Sequence, residues 1–478
     1  MLDYKNIGAV SSALIDIFTT VARADRRLND AVHRPRVRWP RCTAAVLLGL
    51  GVSPMSHAQQ AGAPLPDATV IIIGVDPTAT AEPLSGIPGL TPIQRDVARV
   101  LDDLCGRTEN QTFQSRCGVL RSLSDDDARN ALQEIAPTQV PALGTSALIV
   151  TDAQLNSIST RLQILRHGSF GKEVDRFLVS DNGYGFTLDA GGSAGTDGAL
   201  MGRLGVFVTG LANTGDKDTT ERELGFDFDT RGVTTGLDYR LTDTTIIGGA
   251  LGYSVIEADF AASGGDQETD AVMLSAYGTH YANNTFYVDW IISYSQNDYD
   301  TTRNLFTFDT QADSSTDGNQ WALSVNAGAE VNRGAVLFSP YARIEYVDAE
   351  IDDYVERGGG GLAIEYDAQT MESLTLALGG RLSRAVSTSW AVLSPSVYLE
   401  WIHEFQDDAR SVDSRFVEDP SEVFSMRTDD PDRNFFRFGV AAAATFARGR
   451  SAYISYDTHL DLDDVSYHQF DIGLRVAF

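Results

Sequence analysis

Cysteine is scarce in this chain, at three among 478 residues, and basic residues are outnumbered, 37 against 66 acidic. A formal charge of -29 repels phosphate backbones, which excludes nucleic acid as a partner. Long apolar runs are missing, and none approaches the roughly 20 residues of a transmembrane helix. The seven histidines are scattered, three of them (His280, His403 and His468) at or near candidate strand ends. His403-Glu404 opens like a zinc motif, but Asp407 stands where the second histidine is required. No Ser-His-Asp spacing or phosphate loop is found, so no catalytic residue, cofactor or metal is expected. Gly191-Gly192-Ser193-Ala194-Gly195 spells G-x-S-x-G, yet a nucleophile elbow needs a strand before it and a helix after it. Here Gly, Ser, Thr and Asp flank the motif, and the stretch reads as a linker.

At the N-terminus, Arg34, Arg36, Arg38 and Arg41 precede the apolar run 43–52, and small residues follow as far as Ser56-His57-Ala58. This is the order of a secretory signal, with cleavage expected between Ala58 and Gln59. Residues 1–33 ahead of it read as an extended leader or an upstream start. Cys42 leaves with residues 1–58, so the mature chain keeps Cys105 and Cys117. In an oxidising compartment two close cysteines suggest one disulfide. Two free thiols, or metal ligation without a nearby histidine, are the weaker readings.

Residues 59–89 are rich in Ala, Pro, Gly and Thr and read as mostly flexible. Residues 90–167 read as helical. Thr91 caps the first helix, with Pro92 at its first position and Gln94 completing a capping box. Val97, Val100, Leu101 and Leu104 form its apolar stripe. Ser124 caps a second helix with Asp125, Asp126 and Asp127 in its first turn, where acids favour the dipole without any need for a metal. A third is expected over about Ser146 to Leu165, with Leu148, Leu155, Ile158, Leu162 and Leu165 along one side. Gly-rich residues 168–202 follow as a linker.

From 203 to 478 the pattern changes to period two. In the last stretch Phe470, Ile472, Leu474, Val476 and Phe478 share one face, and Gln469, Asp471, Gly473, Arg475 and Ala477 the other. Twelve such strands are expected, near 203–211, 230–241, 244–257, 267–281, 284–298, 319–332, 335–347, 371–384, 388–405, 434–447, 450–460 and 466–478. Tight turns alternate with longer acidic, Gly-rich connections such as Tyr299 to Asp317, Ala349 to Thr370 and Gln406 to Asp432. An even strand number, with loop length sorted by parity, is the pattern of a transmembrane barrel with its apolar face to lipid. Aromatics toward strand ends, including Tyr239, Trp290, Tyr346 and Trp401, fit interfacial girdles. The opposite face carries Asp238, Arg240, Glu330, Arg343, Glu345, Arg381, Glu400, Arg437, Asp471 and Arg475, read as charges that neutralise one another across a lumen. The fold class is therefore mainly β: a twelve-stranded antiparallel transmembrane β-barrel with a small N-terminal α-helical domain.

Residues 232–243 (GVTTGLDYRLTD), 251–254 (LGYS), 339–346 (SPYARIEY), 393–395 (LSP), 401–405 (WIHEF) and the terminal Phe478 resemble the autotransporter β-domain. The helical stretch 90–102 is similar to the segment that precedes the barrel in many members. The resemblance implies an outer-membrane location in a Gram-negative bacterium. It implies a lipid-embedded barrel, a monomer, whose assembly machinery reads Phe478, and an N-terminal passenger whose last helix occupies the pore. Part of the segment from Ser146 to Gly202 is accordingly expected to thread the barrel. The apolar stripe of the third helix and its Gly-rich spacer argue instead for a bundle tethered at one rim. A barrel that anchors or exports its helical region, with surface binding or adhesion to an unnamed ligand, is the leading reading. The alternative is a pore with periplasmic helices. A secreted hydrolase passenger is disfavoured, because only residues 59–202 are available to form one.

Overall fold

A computed structural model describes residues 83–169, 203–283, 285–447 and 450–477. The signal-cleavage pair Ala58 and Gln59, the residue Phe478 and the segment 170–202 lie outside them. Four helices precede the strands: α1 (Pro92–Arg107), α2 (Gln111–Ser122), α3 (Asp125–Ile135) and α4 (Pro141–Ser169). The Thr91/Gln94 capping box forms, and the Ser124 side chain accepts from the Asp127 amide. α2 was not expected from the sequence. Asn110 caps it by accepting from the Thr112 and Phe113 amides, and Phe113, Cys117 and Leu120 form its buried face. The sulfurs of Cys105 and Cys117 are bonded, joining α1 to α2 with their Cα atoms 5.7 Å apart.

The long strands number twelve: β1 (Leu204–Lys217), β2 (Phe226–Arg240), β3 (Thr245–Phe260), β4 (Gly265–Tyr281), β5 (Phe286–Leu305), β6 (Thr310–Ala329), β7 (Val336–Ile351), β8 (Gln369–Arg384), β9 (Ala391–Glu404), β10 (Asn434–Phe446), β11 (Arg450–Leu460) and β12 (Val465–Ala477). Each pairs antiparallel with its sequence neighbour. β12 also pairs with β1, from Gly205 opposite Ala477 to Lys217 opposite Val465, and this pairing closes the barrel. Closure leaves no unpaired edge, which the bilayer interior requires.

Exposure sorts the two faces. Leu237, Leu251, Leu274, Ile292, Leu323, Ile344, Leu399 and Ile472 are exposed and point to lipid. On the long-loop side this belt ends at Tyr253, Tyr294, Trp321 and Tyr346, and the outward positions then turn acidic. Asp229 stands opposite Glu257, Glu257 opposite Glu268, and Glu268 opposite Asp300. Like charges placed directly opposite one another destabilise a sheet, so this wall belongs in water, where screening softens the repulsion. Burial and the neighbouring Asp270, Glu257 and Asp300 push the Glu268 carboxyl above its ordinary value.

One expectation needs correction here. The stretch from Tyr299 to Asp317 is not a loose loop, because β5 and β6 continue as a ladder to Leu305 opposite Thr310. The two longest connections carry a second small sheet of Asp419–Arg427, Ser411–Phe416, Ile364–Tyr366 and Tyr354–Val355. Of the stretch 59–89, read as mostly flexible, residues 83–89 are described. Leu84 is buried, and the Leu84 and Ser85 amides donate to Asp102 of α1.

Together these parts build a cap over the long-loop rim. One apolar core joins Val97, Leu101, Phe113, Leu120, Leu132 and Ile135 of the helices to Tyr299 of β5 and to Phe308, Leu362, Ile364, Phe416, Phe424 and Met426 of the connections. Burial of this kind is worth about 1.5–3 kcal/mol for each large side chain.

Candidate functional site: the occupied lumen

α4 starts under the cap and runs through the barrel to the turn rim. Its polar side chains meet the wall on most sides. Near the loop rim, Gln267 of β4 donates to Ser146 at 2.9 Å. One turn further, Gln320 of β6 donates to Thr151 at 2.6 Å, and Thr234 of β2 to Gln154 at 2.6 Å. Gly252 faces Gln154 so closely that a Cβ there would fall 2.6 Å from its amide nitrogen, so a larger residue would displace the Gln154 side chain from its bond to Thr234. On the opposite side Asp152 pairs with Arg437 of β10, and Asn156 donates to Asp457 of β11 at 2.9 Å.

The last turns carry cations. Arg161 donates through Nε to Asp238 of β2 at 3.0 Å, and it is only 2 % exposed. Its guanidinium also lies over the Phe207 ring at 5.0 Å. Asp238 takes a second, longer contact from Arg475 of β12 at 3.6 Å. Arg166 pairs with Asp289 of β5, approaches Glu330 at 3.4 Å and stacks on Tyr287. Ion pairs this deeply buried recover little net stability after desolvation. They do fix rotation and height, because a shifted helix would strand several charges.

The sequence reading expected the apolar stripe of this helix to be poorly housed in a lumen. The wall is instead apolar where the stripe falls. Leu155, Ile158, Leu162 and Leu165 pack against Phe207, Ile246, Ala250, Tyr277, Ile291, Ala322 and Val347, all inward-facing. The helical stretch is thus divided between two settings, with α1–α3 in the cap and α4 in the lumen. The inward charges also do more than neutralise one another across open space. Asp238, Glu330 and Arg437 hold α4, whereas Arg343 pairs with Glu400 at 2.9 Å and Glu345 at 3.1 Å within the wall. A polar cavity remains between α4 and the β5–β9 wall, lined by Asn156, Gln163, Arg166, Asp289, Arg343 and Glu400 among others.

At the junction of cap and barrel, Arg303 of β5 reaches both parts. It donates to Glu356 at 2.9 and 2.6 Å, to the Leu362 carbonyl at 3.0 Å and to the Glu134 carbonyl of α3 at 2.8 Å. Burial opposes its charge, but Glu356 and then Tyr366 more than compensate and hold it protonated. Burial, followed by Glu356, pushes the Tyr366 hydroxyl well above its ordinary value. The Glu134 carboxylate accepts from the Thr307 amide at 2.9 Å. Among the described residues no cluster of three or more His, Cys, Asp or Glu is placed to hold a metal ion.

Comparison with known proteins bears on this arrangement. A family model described as "Autotransporter beta-domain" matches residues 206–457. The esterase EstA of Pseudomonas aeruginosa is 23% identical over 272 residues, which cover 55% of this chain and 41% of that protein. Outer membrane protein B of Rickettsia prowazekii is 20% identical over 414 residues, 84% of this chain and 24% of that protein. The chain therefore spans well under half the length of these curated relatives. Among solved structures, the translocator domain of autotransporter NalP from Neisseria meningitidis superposes with a TM-score of 0.50 at 17% identity, over 70% of this chain and 99% of that one.

Proposed function

The chain belongs to the autotransporter β-domain family, an outer-membrane barrel of a Gram-negative bacterium, and from that premise we propose that it exports its own N-terminal segment and keeps it at the surface. The observation that carries this is α4: one continuous helix links a cap on the long-loop rim to the turn rim where β1 begins. Long loops of such barrels face outward and short turns face the periplasm. A segment lying through the lumen in this direction is a translocation path with its cargo retained. The cap and its loop sheet then form the surface available for binding or adhesion.

The test is an epitope inserted between α1 and α2, at residues 108–110. Antibody should label intact cells; labelling that requires outer-membrane permeabilisation overturns the proposal. The same reading has the barrel assembly machinery recognise Phe478. Deleting it should lower outer-membrane levels of the protein, and unchanged levels would refute that role.

The polar cavity beside α4 supports a second reading, a narrow pore. It is the weaker one, because the helix fills the lumen through matched contacts along its length. Esterase activity is a property of the relative that bears the name. In this chain the segment 59–202 holds a single histidine, His167, in the last turn of α4, which gives a hydrolase passenger little to work with.

A further inference from the structure

Where the barrel closes, the lumen wall holds two carboxylates that make no direct ion pair among the described residues. Asp457 of β11 is 1 % exposed and Asp471 of β12 is 2 % exposed. They lie on adjoining strands, because Asp471 stands opposite Ser455, two residues from Asp457. Asp457 uses one oxygen to accept from Asn156 of α4 and leaves Oδ2 unpartnered. Asp471 receives Gln469 at 2.8 Å and Ser455 at 3.4 Å on Oδ2 and leaves Oδ1 unpartnered. Arg437 on the next strand pairs directly with Asp152 and acts on Asp457 only from a longer distance. Across the closing seam, Asn213 of β1 stands opposite Gln469, which stands opposite Asp457. Asn213 is 3 % exposed, points inward, and neither polar atom of its side chain has a partner.

Buried carboxylate oxygens and a buried amide left without hydrogen-bond partners are costly unless something fills the gap. We propose that this sector is a site for a hard divalent cation, Ca²⁺, held by Asp457, Asp471 and the Asn213 carbonyl. The unpartnered carboxylate oxygens and the Asn213 carbonyl are the ligand type such a cation takes, and two carboxylates balance its charge. The bound ion clasps β1, β11 and β12 at the seam. Through Asp457 and Asn156 it also fastens α4 to that seam. The absence of a third carboxylate leaves the remaining positions to water.

The experiment uses the full chain in detergent, stripped with EGTA, with and without Ca²⁺. Its readout is the temperature at which the folded-barrel gel mobility is lost. Ca²⁺ near saturation should raise this temperature by about 5 °C. The shift should vanish in Asp457→Asn/Asp471→Asn and persist in Glu257→Gln/Glu268→Gln, which removes acids on the outer wall only. No shift in the wild type, or a shift retained in the lumen variant, overturns the site. If the double variant does not assemble, Asn213→Ala serves in its place. It should raise the half-saturating Ca²⁺ about tenfold, and an unchanged value overturns the site equally.

Discussion

The cap and the lumen hold one N-terminal segment by opposite means. In the cap, α1 to α3 bury leucines, valines and phenylalanines against the loops, with a cysteine bridge as a staple. In the lumen, α4 sets charges and amides against charges and amides, between apolar contacts at Ile149 and Val150 near its start and at Leu155 to Leu165 further on. The first bond is non-directional and strong for its area. The second is directional and yields little net stability, but it tolerates only one register. A helix that must pass through a water-filled barrel and then stop there is well served by the second kind. A cap that must fold in water after arriving is served by the first.

The comparison breaks most sharply at Asp238. Asp238→Ala leaves Arg161 and Arg475 facing each other in the lumen, and should loosen α4 by about 3–5 kcal/mol. Planar-bilayer recordings should show a closed wild type and a conducting variant. The pair Arg161→Leu/Asp238→Leu, which removes both charges, should recover most of the closure. A single variant as closed as the wild type would mean the ion pair does not hold the helix.

A smaller effect is expected in the cap. Leu132→Ala empties a fully buried position in α3 and should cost about 3 kcal/mol. Limited proteolysis should then cut α1–α3 faster while the gel shift of the barrel stays unchanged. Loss of the barrel shift as well would show that cap and lumen fold as one unit.

The smallest effect is pH dependence at Glu134. Burial raises its carboxyl above the ordinary glutamate range, and the Thr307 hydrogen bonds only partly offset this. Its protonated form is therefore favoured in the docked cap. Docking should be firmest below the ordinary glutamate pKa and weaken as pH rises through the raised value. Cap proteolysis across that range should flatten in Glu134→Gln, whereas an unchanged profile would assign the dependence to another group.

Much of this was legible in the chain. The twelve strands announce themselves because lipid on one side and a polar lumen on the other impose strict alternation. The helix caps at Thr91 and Ser124 are local chemistry and form as read. The rest was hidden for physical reasons. Beyond the lipid belt both faces of a strand may be polar, so Asp298, Asp300 and Thr302 outside mask the inward Tyr299, Arg303 and Leu305, and a ladder reads as a loop. α2 buries only Phe113, Cys117 and Leu120, too thin a stripe to stand out. The fit of Leu155, Ile158, Leu162 and Leu165 into the lumen depends on inward residues from six different strands, from Phe207 to Val347, that only closure brings together.

The central claim is that α4 occupies the lumen, and a cysteine pair tests it most directly. Thr151 and Gln320 hydrogen-bond at 2.6 Å across helix and wall. In a Cys105→Ala/Cys117→Ala background, Thr151→Cys/Gln320→Cys should be joined by a short bismaleimide in outer membranes, because the reach of the glutamine sets the two backbones too far apart for a direct disulfide, and the product should show as a shifted band on a denaturing gel. An assembled, heat-modifiable barrel in which that pair is not crosslinked would contradict the account.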